Sequence, residues 1–162
     1  MGSRKTRLAA MTDAQTIGDV SFRSAKDENL AYHVEWWTYY LGDEARSAGY
    51  QMFVAELDGV VVGFTMVGPL EGYDFIDEAK RLGAEEEVAV LHSIHVDPTC
   101  IGQGLGKDLL AVSVDHLRSE GFRTAVLETD LTRERARGFY EAGGWTFVKT
   151  VRSIAIYQLQ LD

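Results

Sequence analysis

Val96-Asp97-Pro98-Thr99-Cys100-Ile101-Gly102-Gln103-Gly104-Leu105-Gly106-Lys107 is the stretch whose reading decides the fold. An apolar, strand-like segment, Leu91 to Val96, precedes it, and a helix-like segment, Asp108 to Leu117, follows. Glycines at alternating positions therefore stand where a strand hands over to a helix. Glycine lets the chain turn and approach a ligand without a side-chain clash. The free N–H groups of a helix's first turn and the helix dipole both favour an anion. The pattern predicts a backbone cradle for a phosphorylated ligand.

Composition sets the frame. The 162 residues suit one domain with a real core, and 46% hydrophobic with 25% charged residues is ordinary for a soluble protein. No apolar run approaches the roughly 20 residues that cross a bilayer, so no membrane partner is expected. Arg4-Lys5-Thr6-Arg7 leads into no long apolar run, which reads as no secretory signal. Met1-Gly2-Ser3 reads as an expression remnant and residues 4–162 as the domain. The single cysteine precludes an internal disulfide and fits a cytoplasmic location. The net charge of −9 argues against nucleic-acid binding, which needs positive charge at the phosphates. It suits a cationic acceptor such as an amine, or simply a soluble surface.

Outward from the glycine run, Leu8-Ala9-Ala10 reads as a first strand. Thr12 with Gln15 reads as a capping box for a helix to about Val20. Ser24 with Asp27 reads as the start of a second helix that ends before Gly42. Gln51–Leu57 and Val60–Val67 read as strands joined by Asp58-Gly59, a strong two-residue hairpin signal. Residues 69–86 form an acidic insertion with a short helix near Phe75 to Leu82. Glu87–Val96 reads as a buried strand. Leu105, Leu109, Val112 and His116 mark one face of the helix that follows, and Gly121 stops it. Thr124–Asp130 is a strand, Thr132 caps a helix ending at Gly143-Gly144, and Trp145–Val148 and Ser153–Leu161 are the last strands. The order is β-α-α-β-β-β-α-β-α-β-β, an α/β domain with a mixed, mostly antiparallel sheet flanked by helices.

These residues carry a family resemblance. Val96-Asp97-Pro98 with Gly102-Gln103-Gly104-Leu105-Gly106 is similar to the acyl-CoA pyrophosphate loop of the GNAT superfamily of N-acyltransferases. Ala136-Arg137-Gly138-Phe139-Tyr140-Glu141 with Gly144-Trp145 is similar to a second signature of that family. Arg7-Leu8-Ala9, Asp13-Ala14 and Ile17 resemble its opening strand and helix. Two positions depart from the pattern: Ile101 stands where Gln or Arg is usual, and Arg133 where Asn is usual.

The resemblance implies an enzyme that takes acetyl-CoA as cosubstrate and attacks it directly with a bound amine. Gly102, Gln103, Gly104, Leu105, Gly106 and Lys107 would then hold the pyrophosphate. Arg133 stands either near a cofactor phosphate or as a solvated charge at a helix start. Ile94, His95 and Val96 would line the acyl group, in a gap that the family opens between this strand and Val126–Asp130. A main-chain N–H there would donate to the thioester oxygen.

The resemblance places Tyr140 beside the cofactor sulfur, and with an ordinary pKa of about 10 it stays protonated at neutral pH and suits the acid that protonates the leaving thiolate. The base stays open among His92, His95, Glu87 and a water chain, with His92 preferred because some relatives carry a base at that position. Alternation puts His92 and Ile94 on one face and His95 on the other unless a bulge intervenes.

Trp36 and Tyr40 share a helix face, and with Glu35 they offer aromatic faces and a carboxylate to an ammonium group. The same aromatics would equally serve a core or a homodimer contact. The expectation is an N-acetyltransferase for a small-molecule amine. Its rivals are a protein N-terminal or lysine acetyltransferase, with a peptide amine as acceptor, and a non-catalytic acyl-CoA sensor. No metal-ligand spacing is present.

Overall fold

The computed structural model describes residues 2–25, 34–71 and 73–162. Its elements are β1 (Arg4–Leu8), α1 (Ala14–Ala25), α2 (Val34–Leu41), α3 (Asp43–Ser47), β2 (Gln51–Leu57) and β3 (Val60–Gly68). After these come α4 (Ile76–Lys80), β4 (Val88–Val96), α5 (Leu105–Ser119), β5 (Thr124–Asp130), α6 (Glu134–Ala142), β6 (Thr146–Val151) and β7 (Ile154–Gln160). The strands form one seven-stranded sheet in the order β1-β2-β3-β4-β5-β7-β6. The β4–β5 ladder is parallel, with Val88–Val90 against Thr124–Val126. The β1–β2, β2–β3, β5–β7 and β6–β7 ladders are antiparallel. This is the α/β class and the element order that the sequence predicts, with α3 as an added short helix.

The chain divides into two compact units, and β4 and α5 each contribute to both. The first comprises residues up to Gly68 together with His92–Ser113. Its larger core packs Ile17 and Val20 of α1 and Trp37 and Leu41 of α2 against Met52, Val54, Phe64 and Met66. Trp37 meets Phe64 edge-on at 4.9 Å. A second cluster, Ala55, Leu105 and Leu109 with Ile94 and Val96, seats the start of α5. Asp58 and Gly59 both have positive φ (52° and 81°), as the tight hairpin turn requires.

The second unit comprises Pro69–Leu91 and Val114–Asp162. There Leu70, Tyr73 and Ala79 of the insertion pack on Val88, Val90 and Val126. Arg137 Nε donates to Tyr157 Oη at 2.9 Å, and that hydroxyl donates to Glu141 at 2.8 Å. This chain of bonds ties α6 to β7, with Tyr157 fully buried. Among the described residues, no helix is long and apolar enough to cross a membrane.

Several boundaries differ from the sequence reading, each for a physical reason. The first strand ends at Leu8 rather than spanning Leu8–Ala10. Thr12 and Gln15 form no capping box. The Asp13 carboxylate instead accepts the Ala10 N–H at 2.7 Å and a two-pronged ion pair from Arg7. Gln15 turns to Asp19. The first helix runs past Val20 to Ala25, so Ser24 lies inside it and starts no second helix; Asp27 lies outside the described residues. The helix after the glycines begins at Leu105, three residues before Asp108. Thr132 does not cap α6; its N–H and hydroxyl both donate to Asp130. The strand expected at Trp145–Val148 is Thr146–Val151, and Glu87 sits in a short 3-10 turn ahead of β4.

The Arg7–Asp13 pair, six residues apart, takes the place of the expected Thr12–Gln15 cap. Hydrogen bonding from Arg7 is the main cause that holds the Asp13 carboxyl below its ordinary range. Its folded pKa is therefore depressed, so its stabilisation is complete above the unfolded value of about 3.9 and is lost as pH falls. Asp13→Ala leaves Arg7 half-paired and the Ala10 N–H without its acceptor. Urea unfolding at pH 7 should show a loss of about 1–3 kcal/mol, shrinking toward pH 3.

Candidate active site

The turn from β4 into α5 is built by side chains that hold backbone. Asp97 N–H donates to Val62 O at 2.7 Å and locks the strand end. The buried Asp97 carboxylate accepts the Thr99 N–H and hydroxyl and pairs with Arg23 at 2.7 Å. Burial alone would raise its pKa, but these bonds outweigh it and hold the carboxyl low. Gly102 and Gly104 then both adopt φ +87°, a left-handed conformation that side chains rarely accept. Space over Gly102 is open: a Cβ built there meets nothing within 4 Å. The first helical bond is Asp108 N–H to Gly104 O, so the N–H groups of Leu105, Gly106 and Lys107 come ahead of it. Leu105 is buried and anchors the turn from below, whereas Ile101 and Lys107 are exposed. Such a turn presents successive N–H groups at a helix start with room for an anion.

On β4, Ile94 and Val96 face the α5 cluster. His95 stacks on Phe64 at 5.3 Å, and its Nδ1 lies 2.7 Å from Ser24 Oγ. His92 lies 5.5 Å from Tyr50, which meets Tyr40 at 4.9 Å; Tyr40 in turn meets Trp36 at 5.3 Å. The row runs from half-exposed Trp36 inward to His92. Tyr40 and Tyr50 pack on the same core that holds Phe64. His92 and His95 thus each meet an aromatic ring of this row or of the core beside it. Glu35 is exposed at the start of α2.

In the second unit, Tyr140 of α6 is buried, with Phe139, Trp145 and Tyr157 rings within 6.4 Å. Burial pushes its hydroxyl up to about 12, against a smaller opposing effect of Arg133. Arg133 itself is exposed at the N-terminus of α6.

Sequence reasoning missed Glu128. It lies two residues after Val126 on β5, hence on the face that the insertion covers with Tyr73. The residue is exposed, yet desolvation of its carboxyl, with the nearby Asp74 carboxylate adding, raises its pKa to about 7. Tyr73 is pushed well above the usual tyrosine range by burial and by Glu128, Asp74 and Glu78. The available signal was a lone carboxylate ending the buried run Thr124–Leu127. Among the described residues, no group of His, Cys, Asp and Glu is arranged to hold a metal ion.

Comparisons with known proteins agree with this geometry. The sequence model of the acetyltransferase (GNAT) family matches residues 13–145. A mycothiol acetyltransferase of Streptomyces griseus is 33% identical over 94 residues, 58% of this chain and 26% of that protein. The chain thus spans about a quarter of the length of such relatives. An L-amino acid N-acyltransferase of Escherichia coli is 29% identical over 132 residues, covering 74% of this chain and 70% of that one. A Salmonella typhimurium protein assigned as an acetyltransferase, solved with its cofactor acetyl-CoA, shares the fold (TM-score 0.77, 23% identity, 98% and 94% covered).

The two left-handed glycines should respond differently to alanine. Gly102→Ala meets open space and should cost only the backbone strain, about 1–2 kcal/mol. At Gly104 a Cβ would stand 2.7 Å from Arg4 Nη1, so Gly104→Ala must also displace that side chain. Denaturant unfolding should show the larger loss at Gly104.

Proposed function

The chain belongs to the acetyltransferase (GNAT) family, and from that premise we propose that it acetylates a primary amine of a small molecule. Acetyl-CoA is the donor, and the amine attacks it directly while both are bound. The observation that carries this reading is the loop ahead of α5, with left-handed glycines, open space over Gly102 and N–H groups ahead of the first helical bond. That loop suits a pyrophosphate, held by main chain from Gly102 to Lys107, with Lys107 and Arg133 adding charge. Acetyl-CoA supplies the thioester that the amine attacks. Main-chain N–H groups of Ile94 to Val96 are the donors we assign to the thioester oxygen.

We assign the proton transfers to Tyr140 and Glu128. Tyr140, pushed up to about 12, stays protonated through the neutral range and gives its proton to the departing thiolate. Glu128, raised to about 7, is poised to take the proton of an ammonium group near neutral pH. It replaces His92 as our first choice of base, and His92 and His95 remain second. The aromatic row from Trp36 and Tyr40, with Glu35 at its outer end, supports a cationic acceptor by cation–π contact and charge. The net charge of −9 draws cations in. A small acceptor rather than a protein is supported by the similarity to an L-amino acid N-acyltransferase. The single cysteine and the choice of donor fit a cytoplasmic enzyme.

Thiol release from acetyl-CoA, measured against a panel of amines and peptides, tests the activity. Small amines should stimulate release most; release by peptides alone would favour a protein acetyltransferase. Tight CoA binding with no acceptor-dependent release would make the chain a sensor. Tyr140→Phe should lower kcat by about 10²-fold with little change in CoA affinity.

Glu128 accepts a proton only when ionised, so kcat/KM should rise with pH through about 7. Glu128→Gln should abolish that limb and cost about 10²- to 10³-fold. A limb that survives Glu128→Gln and disappears in His92→Ala would return the role to His92.

A further inference from the structure

Arg4, far from the glycine loop in sequence, reaches it in space. Its Nε donates to Asp108 Oδ2 at 2.8 Å, and its Nη1 donates to the Gln103 carbonyl at 2.9 Å. The guanidinium lies against the loop so closely that a Cβ on Gly104 would stand 2.7 Å from Nη1 and 3.1 Å from Cζ. Gly104 is thus favoured by its left-handed φ, and a side chain there would also push the Arg4 guanidinium off the loop.

The consequence follows from peptide geometry. In a planar trans peptide the C=O and the following N–H point in opposite directions. Whatever holds the Gln103 carbonyl on the Arg4 side therefore turns the Gly104 N–H to the other side. A carbonyl facing an incoming phosphate would repel it; an N–H there would bind it. Arginine suits this task because its rigid fork serves two acceptors at once, whereas lysine is a point charge on a flexible stem. Asp108 already balances the guanidinium charge, so Arg4 works through the loop rather than as a free cation.

We propose that Arg4 is a positioning residue for the cofactor: it fixes the Gln103–Gly104 peptide with its N–H turned toward the pyrophosphate. The proposal rests on the reading of this loop as the acyl-CoA site. It adds a determinant outside both sequence signatures, supplied by the edge strand β1.

Calorimetric titration with CoA, joined to steady-state kinetics, tests it. The proteins are the unmodified chain, Arg4→Ala, Arg4→Lys and a same-strand control, Lys5→Ala. Arg4→Ala should weaken CoA binding about tenfold and raise KM for acetyl-CoA alike, with kcat within about twofold. A merely structural role would lower kcat or active fraction instead of splitting KM from kcat. Arg4→Lys should recover little, and the loss should persist at about 0.5 M salt, because a misplaced peptide is not screened. Lys5→Ala should bind as the unmodified chain does. CoA binding within about twofold in Arg4→Ala overturns the proposal, as does full rescue by lysine with a loss that salt erases. An unmodified chain that fails to bind CoA overturns instead the reading of the loop, so the two failures are distinguishable.

Discussion

Gly102 and Gly104 hold the backbone at φ +87° on either side of Gln103, and the rest of the site depends on that constraint. A side chain at either position would strain the turn by an amount comparable to a hydrogen bond. The strain-free turn delivers the chain from β4 into α5 with Leu105 buried and the first N–H groups of the helix at the loop. Everything around the loop holds it from below or behind: Asp97 anchors its start, Leu105 and Leu109 its end, and Arg4 its middle carbonyl. In the proposed reading the main chain does most of the holding, which is how Ile101 is compatible with the family's loop.

Burial has one physical effect and two chemical consequences in the second unit. Taking an acid out of water favours its neutral form. For Tyr140 this keeps the hydroxyl protonated far above neutral pH. Glu128 is exposed toward the end of its strand, and partial desolvation of its carboxyl, with the Asp74 carboxylate adding, raises its pKa to about 7. The insertion after β3 contributes the Asp74 carboxylate, whose charge adds to the desolvation at Glu128. In the proposed reaction these two groups divide the proton traffic, one giving and one taking.

The parts of this fold legible in the sequence are those fixed by neighbours along the chain. Asp58-Gly59 specifies its hairpin because both residues tolerate positive φ. Gln51–Leu57 and Thr124–Asp130 show their limits because apolar, β-branched runs end at turn residues. The errors fall where a group outside the expected local pattern took over its role. Thr12 was a fair cap until Arg7 and the Ala10 N–H claimed Asp13. Arg4 could not be linked to Gln103 from sequence, since 99 positions separate them. Glu128 stayed hidden because desolvation and the charge of Asp74, 54 positions away, are invisible along its own strand.

The most direct test of the central claim is an amide NMR titration of the ¹⁵N-labelled chain with CoA. If the glycine turn holds the pyrophosphate through its main chain, the amides from Gln103 to Lys107 should show the largest shifts on saturation, with Gly104 among them. Saturable binding that leaves those amides unmoved and shifts others instead would contradict the account.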